Sequence, residues 1–143
     1  SPMSRGLGDV YKRQASGVEA SCRDLGALVH ELLRPDPVLL ARATRLQLAS
    51  PAFPEIPGVL PGFGSHVPNP WGLGFELRGH KDPHWTGSSN SPSTFGHFGR
   101  SGGMFWADPS AGVGCASLAG KEFGPWAQDL WPRLSEEVLR TAA

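Results

Sequence analysis

The chain has 143 residues, 39% of them hydrophobic, with 13 Lys plus Arg balanced by 13 Asp plus Glu. That length fits one domain or part of a larger one, and the apolar content supplies a core, which excludes disorder of the whole chain. Zero net charge with no basic stripe argues against nucleic acid as a partner, and no apolar run reaches the ~20 residues of a membrane span.

In chain order, Ser1 to Gln14 holds the single tyrosine and a basic cluster without a hydrophobic period. It lacks the charged-then-apolar pattern of a signal peptide. It resembles a translated sequencing-adapter peptide and is read as a non-native or disordered stretch, with the domain at 15–143. Ser21 reads as a helix N-cap with Asp24 at the third helical position. Leu25, Leu28, Val29, Leu32 and Leu33 then mark one apolar helical face, ended by Pro35. Asp36-Pro37 is expected to open a second helix, with Pro at the first position, ending between Arg45 and Ala49.

Residues 50–70 are rich in Pro and Gly, with Phe53, Ile56, Val59, Leu60 and Phe63 in no period. This predicts an irregular connection that wraps a sheet or lines a cleft. Trp71, Leu73, Phe75 and Leu77 alternate with Gly72, Gly74, Glu76 and Arg78, the pattern of a half-buried strand. A polar loop follows over 79–93.

The run Thr94 to Gly103 reads as a strand carrying His97, with Gly99 two residues on. Met104–Pro109 and Val113–Leu118 pair as a hairpin around Asp108-Pro109-Ser110-Ala111-Gly112. Gly124-Pro125 starts a final helix with Trp126, Leu130, Leu134 and Val138 inward, and Pro132 is expected to kink or divide it. The fold class is therefore α+β: an antiparallel sheet of three or four strands flanked by helices, one face of it covered.

Cys22 and Cys115 lie on elements expected to face the core. Two thiols without metal or redox spacing read as free cysteines in a reducing, cytoplasmic compartment. His80, Asp82 and His84 raise a metal reading, but Pro83 prevents the helix that would align them and no further ligand set accompanies them. The glycines of 99–103 precede a strand instead of a helix, which removes the phosphate-cradle reading. No metal and no cofactor is expected.

Three segments carry a family resemblance. Ser21 to Leu33, Trp71-Gly72-Leu73-Gly74-Phe75, and Gly96-His97-Phe98-Gly99 through Trp106-Ala107-Asp108-Pro109 resemble, in order, elements of the serine beta-lactamase and penicillin-binding-protein superfamily. The similarity is to its branch of class C beta-lactamase-related esterases and D-amino-acid peptidases. Pro83-His84-Trp85-Thr86-Gly87 and Phe123 to Pro132 resemble a short bacterial subgroup of that branch.

The resemblance implies acyl transfer through a serine in a Ser-x-x-Lys helix, with a tyrosine relaying protons. It maps the family's third motif onto His97-Phe98-Gly99. His97 would supply a hydrogen bond, or positive charge when protonated, to the substrate or to the relay tyrosine, Gly99 clearance for substrate, and the Arg100 backbone N–H one oxyanion donor. Phe98, His84 and Trp85 would contact substrate, a small ester, amide or lactam.

No Ser-x-x-Lys and no Tyr-x-Asn occurs in the chain. The implied reading is the C-terminal part of such a hydrolase, inactive alone. The alternative is a non-catalytic binding or interaction module of the same fold. Oligomeric state is left open.

Overall fold

A computed structural model describes residues 17–143, so the stretch Ser1 to Gln14 lies outside the described residues. The first helix, α1, spans Cys22–Leu33. Ser21 Oγ accepts the Asp24 N–H at 3.2 Å and the Asp24 carboxylate accepts the Ser21 N–H at 3.0 Å, a reciprocal capping box. Val29 and Leu32 are buried on its inner face. Cys22, expected to face the core, is exposed at the start of this helix.

The second helix, α2, begins later than Asp36-Pro37 and spans Arg42–Ala49. The cause is Glu31, whose carboxylate accepts the backbone N–H groups of Val38 and Leu39 and holds that stretch in a non-helical bend. Within the connection of residues 50–70, strands β1 (Gly58–Leu60) and β2 (Gly64–His66) form a small antiparallel hairpin. Gly62 and Gly64 supply the positive φ angles of its turn, 79° and 91°.

The strand expected from Trp71 to Leu77 shrinks to β3, Glu76–Leu77. The missing part serves the end of α2. The N–H groups of Leu73 and Phe75 donate to the carbonyls of Gln47 and Leu48, both at 3.2 Å, and satisfy orphan acceptors there. Leu73 stands exposed as a result.

Three longer strands complete a four-stranded antiparallel sheet in the order β3-β4-β5-β6: β4 (Phe95–Phe98), β5 (Met104–Asp108) and β6 (Val113–Ser117). His97 lies opposite Phe105, and Trp106 opposite Cys115. The β5–β6 turn is held by Asp108, whose carboxylate accepts from the N–H groups of Ser110 and Ala111 and from Ser91.

The last helix, α3, spans Pro125–Ala142 and runs unbroken through Pro132. Its buried residues are Ala127, Trp131 and Ser135, while Leu130 is 44% exposed. The inner face is thus rotated by about one residue from the one expected.

Strand alternation divides the core between two faces of the sheet, so both faces are covered. Met104 and Trp106 pack with Leu60, Phe63, Trp85, Ala127 and Trp131 on the α3 side. Phe95 and Ala107 pack with Val29, Leu32 and Leu77 on the α1 side. Both helix layers count, and the α+β arrangement holds.

Candidate active site

The β4 strand outlasts its neighbour. β3 pairs only Glu76 with Gly96 and Leu77 with Phe95, so nothing in β3 pairs with β4 past Gly96. Gly99 N–H donates to the Gly103 carbonyl at 2.9 Å, toward the β5 side. Amides alternate along an antiparallel ladder, so that of Phe98 points to the unpaired edge, and Arg100 follows in the turn beyond the strand. The Gly99 carbonyl accepts the Gly102 N–H at 3.0 Å across the turn, and the trans peptide sets the Arg100 N–H opposite to it; the Arg100 carbonyl in turn accepts the Phe123 N–H at 2.9 Å. Among the described residues its own N–H meets no acceptor. Gly102, with φ at 88°, turns the chain back into β5.

This edge borders a cavity of about 310 Å³. The β1–β2 hairpin contributes Val59, Leu60 and Pro61, and Trp71, Phe98 and Phe123 supply aromatic walls. His97 and Glu76 reach the same space, with Arg100 at its border. The His97 ring meets Trp71 edge-on, centroids 5.4 Å apart. His97 keeps solvent access, yet the surrounding rings desolvate it and lower its pKa, against a weaker upward pull from Glu76. It is neutral near pH 7.

Behind the cavity lies a buried ion cluster that the alternating pattern concealed by placing Glu76 on the outer face. Glu76 is 1% exposed. Its carboxylate takes Lys81 Nζ at 2.6 Å and His84 Nε2 at 2.9 Å. Lys81 also donates to Asn69 Oδ1 at 2.7 Å, and His84 Nδ1 lies 2.8 Å from Thr86 Oγ1. A buried carboxylate near two basic residues in one loop was the available signal; the polarity of residues 79–93 read instead as a solvated loop.

The other site residues expected from sequence divide. Phe98 lines the cavity and packs on Phe123, centroids 5.0 Å apart, and on Trp131 at 5.5 Å. Gly99 adjoins open space: a Cβ built there would meet nothing nearer than Ser101 Oγ at 3.7 Å. Trp85 is fully buried and supports Phe98 from behind, 5.6 Å between centroids, so it offers no stacking face to a ligand. His84, 4% exposed and bound to Glu76 and Thr86, belongs to the ion cluster instead of the cleft rim.

A larger cavity of about 430 Å³ lies between the 79–93 loop and α3. Several of its polar groups are engaged internally: Glu136 accepts from Ser88 and Ser89, Arg78 donates to Thr86 and Gly87, and His84, which also lines it, is bound to Glu76 and Thr86. The smaller cavity, with its free strand edge, is the better equipped for chemistry.

A covered antiparallel sheet whose inner strand opens onto a cleft beside a histidine agrees with what the chain is similar to. The family model described as Beta-lactamase matches residues 2–139, and the chain belongs to the beta-lactamase family. The crystal structure of a beta-lactamase from Mycobacterium bovis is similar, with 46% sequence identity and a TM-score of 0.80. The match covers 86% of this chain and 44% of that one, so the chain spans less than half of that protein's length. Comparison with curated proteins returns no match.

Proposed function

We propose that residues 15–143 form the sheet-bearing part of a serine hydrolase and that the β4 edge is one wall of its acyl-transfer site. The observation that carries this reading is the Arg100 N–H, free of any described acceptor, in the turn just past the unpaired strand edge that carries His97. In the reaction a serine oxygen attacks an ester, amide or lactam carbonyl, and the carbonyl electrons move onto its oxygen. The Arg100 N–H is one of two donors to that oxyanion; its side chain takes no part. The carbonyl re-forms as the leaving group departs with a proton, and water later displaces the serine.

Neutral His97 hydrogen-bonds substrate or the proton-relaying group from the strand side. Phe98 holds the acyl group and Gly99 leaves the strand edge clear. The serine, its lysine and the tyrosine lie outside this chain, which has neither Ser-x-x-Lys nor Tyr-x-Asn. Alone, the chain turns nothing over.

The test is a chimera in which residues 17–143 replace the matched part of the Mycobacterium bovis protein. The reading predicts covalent labelling of a serine by a fluorophosphonate, with none on this chain alone. A folded chimera that fails to label, beside a parent protein that labels, would count against it.

A further inference from the structure

We propose that the cleft selects an uncharged, apolar acyl group over acyl donors that carry a carboxylate; this deepens the acyl-transfer reading above and rests on it. The apolar walls of the cavity are Val59, Leu60, Pro61, Trp71, Phe98 and Phe123. Only three lining residues bear titratable or charged groups: Glu76, His97 and Arg100. None of them presents a carboxylate with a cation inside the cavity.

Glu76 is itself an anion whose two oxygens are taken from behind. Lys81 Nζ lies at 2.6 Å, and His84 Nε2 at 2.9 and 3.2 Å from the two oxygens. The Lys81 ammonium is spent on that carboxylate and on Asn69, and its side chain is 2% exposed. His97 is held neutral by the rings around it. The Arg100 side chain is 89% exposed, with Nε 3.8 Å from Glu122, and so turns its charge to solvent and to an acid.

A carboxylate brought into this space loses water and gains no described cation, since the Lys81 charge is already balanced by Glu76. An apolar acyl chain of similar size meets six apolar walls and keeps its carbonyl near the Phe98 and Arg100 amides. Selectivity here comes from charge placement as well as shape. The family to which the chain belongs does not dictate it.

Binding requires no nucleophile, so the chain itself serves for the test. Two stable amide probes are compared, N-(4-nitrophenyl)butanamide and the corresponding succinamic acid, which differ by one terminal carboxylate. Binding is followed through the Trp71 indole N–H signal in proton–nitrogen NMR spectra. The butanamide is expected to bind at least about tenfold more tightly than the acid, about 1.4 kcal/mol of discrimination. Val59 is 69% exposed, so Val59→Lys places a cation at the wall with little demand on the fold. That variant should erase or reverse the preference.

Equal or tighter binding of the acid by the unaltered chain would overturn the proposal. So would a folded chain that binds neither probe, or a preference that Val59→Lys leaves unchanged. Serine labelling of the chimera reports separately on the acyl-transfer reading: loss of labelling with the probe preference intact removes the reaction and leaves the apolar cleft.

Discussion

Glu76 and Lys81 show most clearly how single residues set this molecule's tolerances. Two side chains, each 2% exposed, meet at 2.6 Å, and the carboxylate also holds His84. Burying such groups is costly, and removing one partner leaves the other charged and unsolvated. Lys81→Met should therefore destabilise the chain by about 3–5 kcal/mol, read as a lower denaturant midpoint at unchanged slope. A loss under about 1 kcal/mol would mean that the pair is solvated.

His84 adds a pH dependence. Burial lowers its pKa from the usual 6.5, opposed by its hydrogen bond to Glu76. The unfolded chain therefore binds that proton more readily. Stability is full above about pH 6.5 and declines as the pH falls below it toward the depressed folded value. Burial would raise the Asp108 pKa, but hydrogen bonds from Ser91 and Ala111 outweigh it and lower the value from 3.8. A second loss therefore begins below about pH 4. Thermal melts from pH 8 to pH 3 should show both declines, and a flat midpoint between pH 6.5 and pH 5 would contradict the His84 assignment.

At this scale the strand position of His97 was legible in the sequence, because its flanking glycines and the hairpin after it are local signals. Glu76 was not, since its burial depends on the Lys81 ammonium and the His84 imidazole, five and eight residues ahead, which reach it only when the loop folds back.

Elements followed the sequence where a local rule decided them. Ser21 and Asp24 cap α1 as their spacing predicts, and the β5–β6 hairpin turns at Asp108 to Gly112. They departed where a distant group intervened: Glu31 delayed α2, and the α2 carbonyls drew residues 73–75 out of the sheet. In α3, Trp131 set the phase of the buried face over Trp126 and Leu130, because it alone reaches Phe98 and Phe123 together.

Contact between α1 and the sheet turns on Gly114, where a Cβ would overlap a Val29 methyl and come within 2.8 Å of the Trp106 carbonyl oxygen. Gly114→Val should push α1 off β6 and cost about 1–3 kcal/mol, seen as a lower melting temperature. Unchanged melting would show that the helix is free to shift. The same substitution at Gly112, where open space surrounds the Cβ, strains only the turn, whose φ is 67°.

For the whole molecule, helix layers on both faces hold β4 in place while β3 stops short and leaves the strand's far end unpaired. The unpaired edge, the apolar walls and the buried ion cluster meet at this one location. The α+β class was readable from the order of periodic segments, whereas the second covered face was not, because periodicity does not say which side of a sheet a helix takes. Phe53, Ile56, Val59, Val67 and Leu73 are each more than half exposed, and of these Val59 lines the cavity.

The central claim is that His97 and the Arg100 amide form one wall of a serine acyl-transfer site. The most direct measurement is kcat/KM for a nitrophenyl ester, taken across pH on the chimera and on its His97→Ala variant. The account predicts a fall of about 10²–10⁴-fold with the fold and fluorophosphonate labelling site retained. It also predicts that the acid limb of the unaltered chimera lies below about pH 6.5, since the working form of His97 is neutral. Activity that survives His97→Ala undiminished, with the same pH profile, would contradict it.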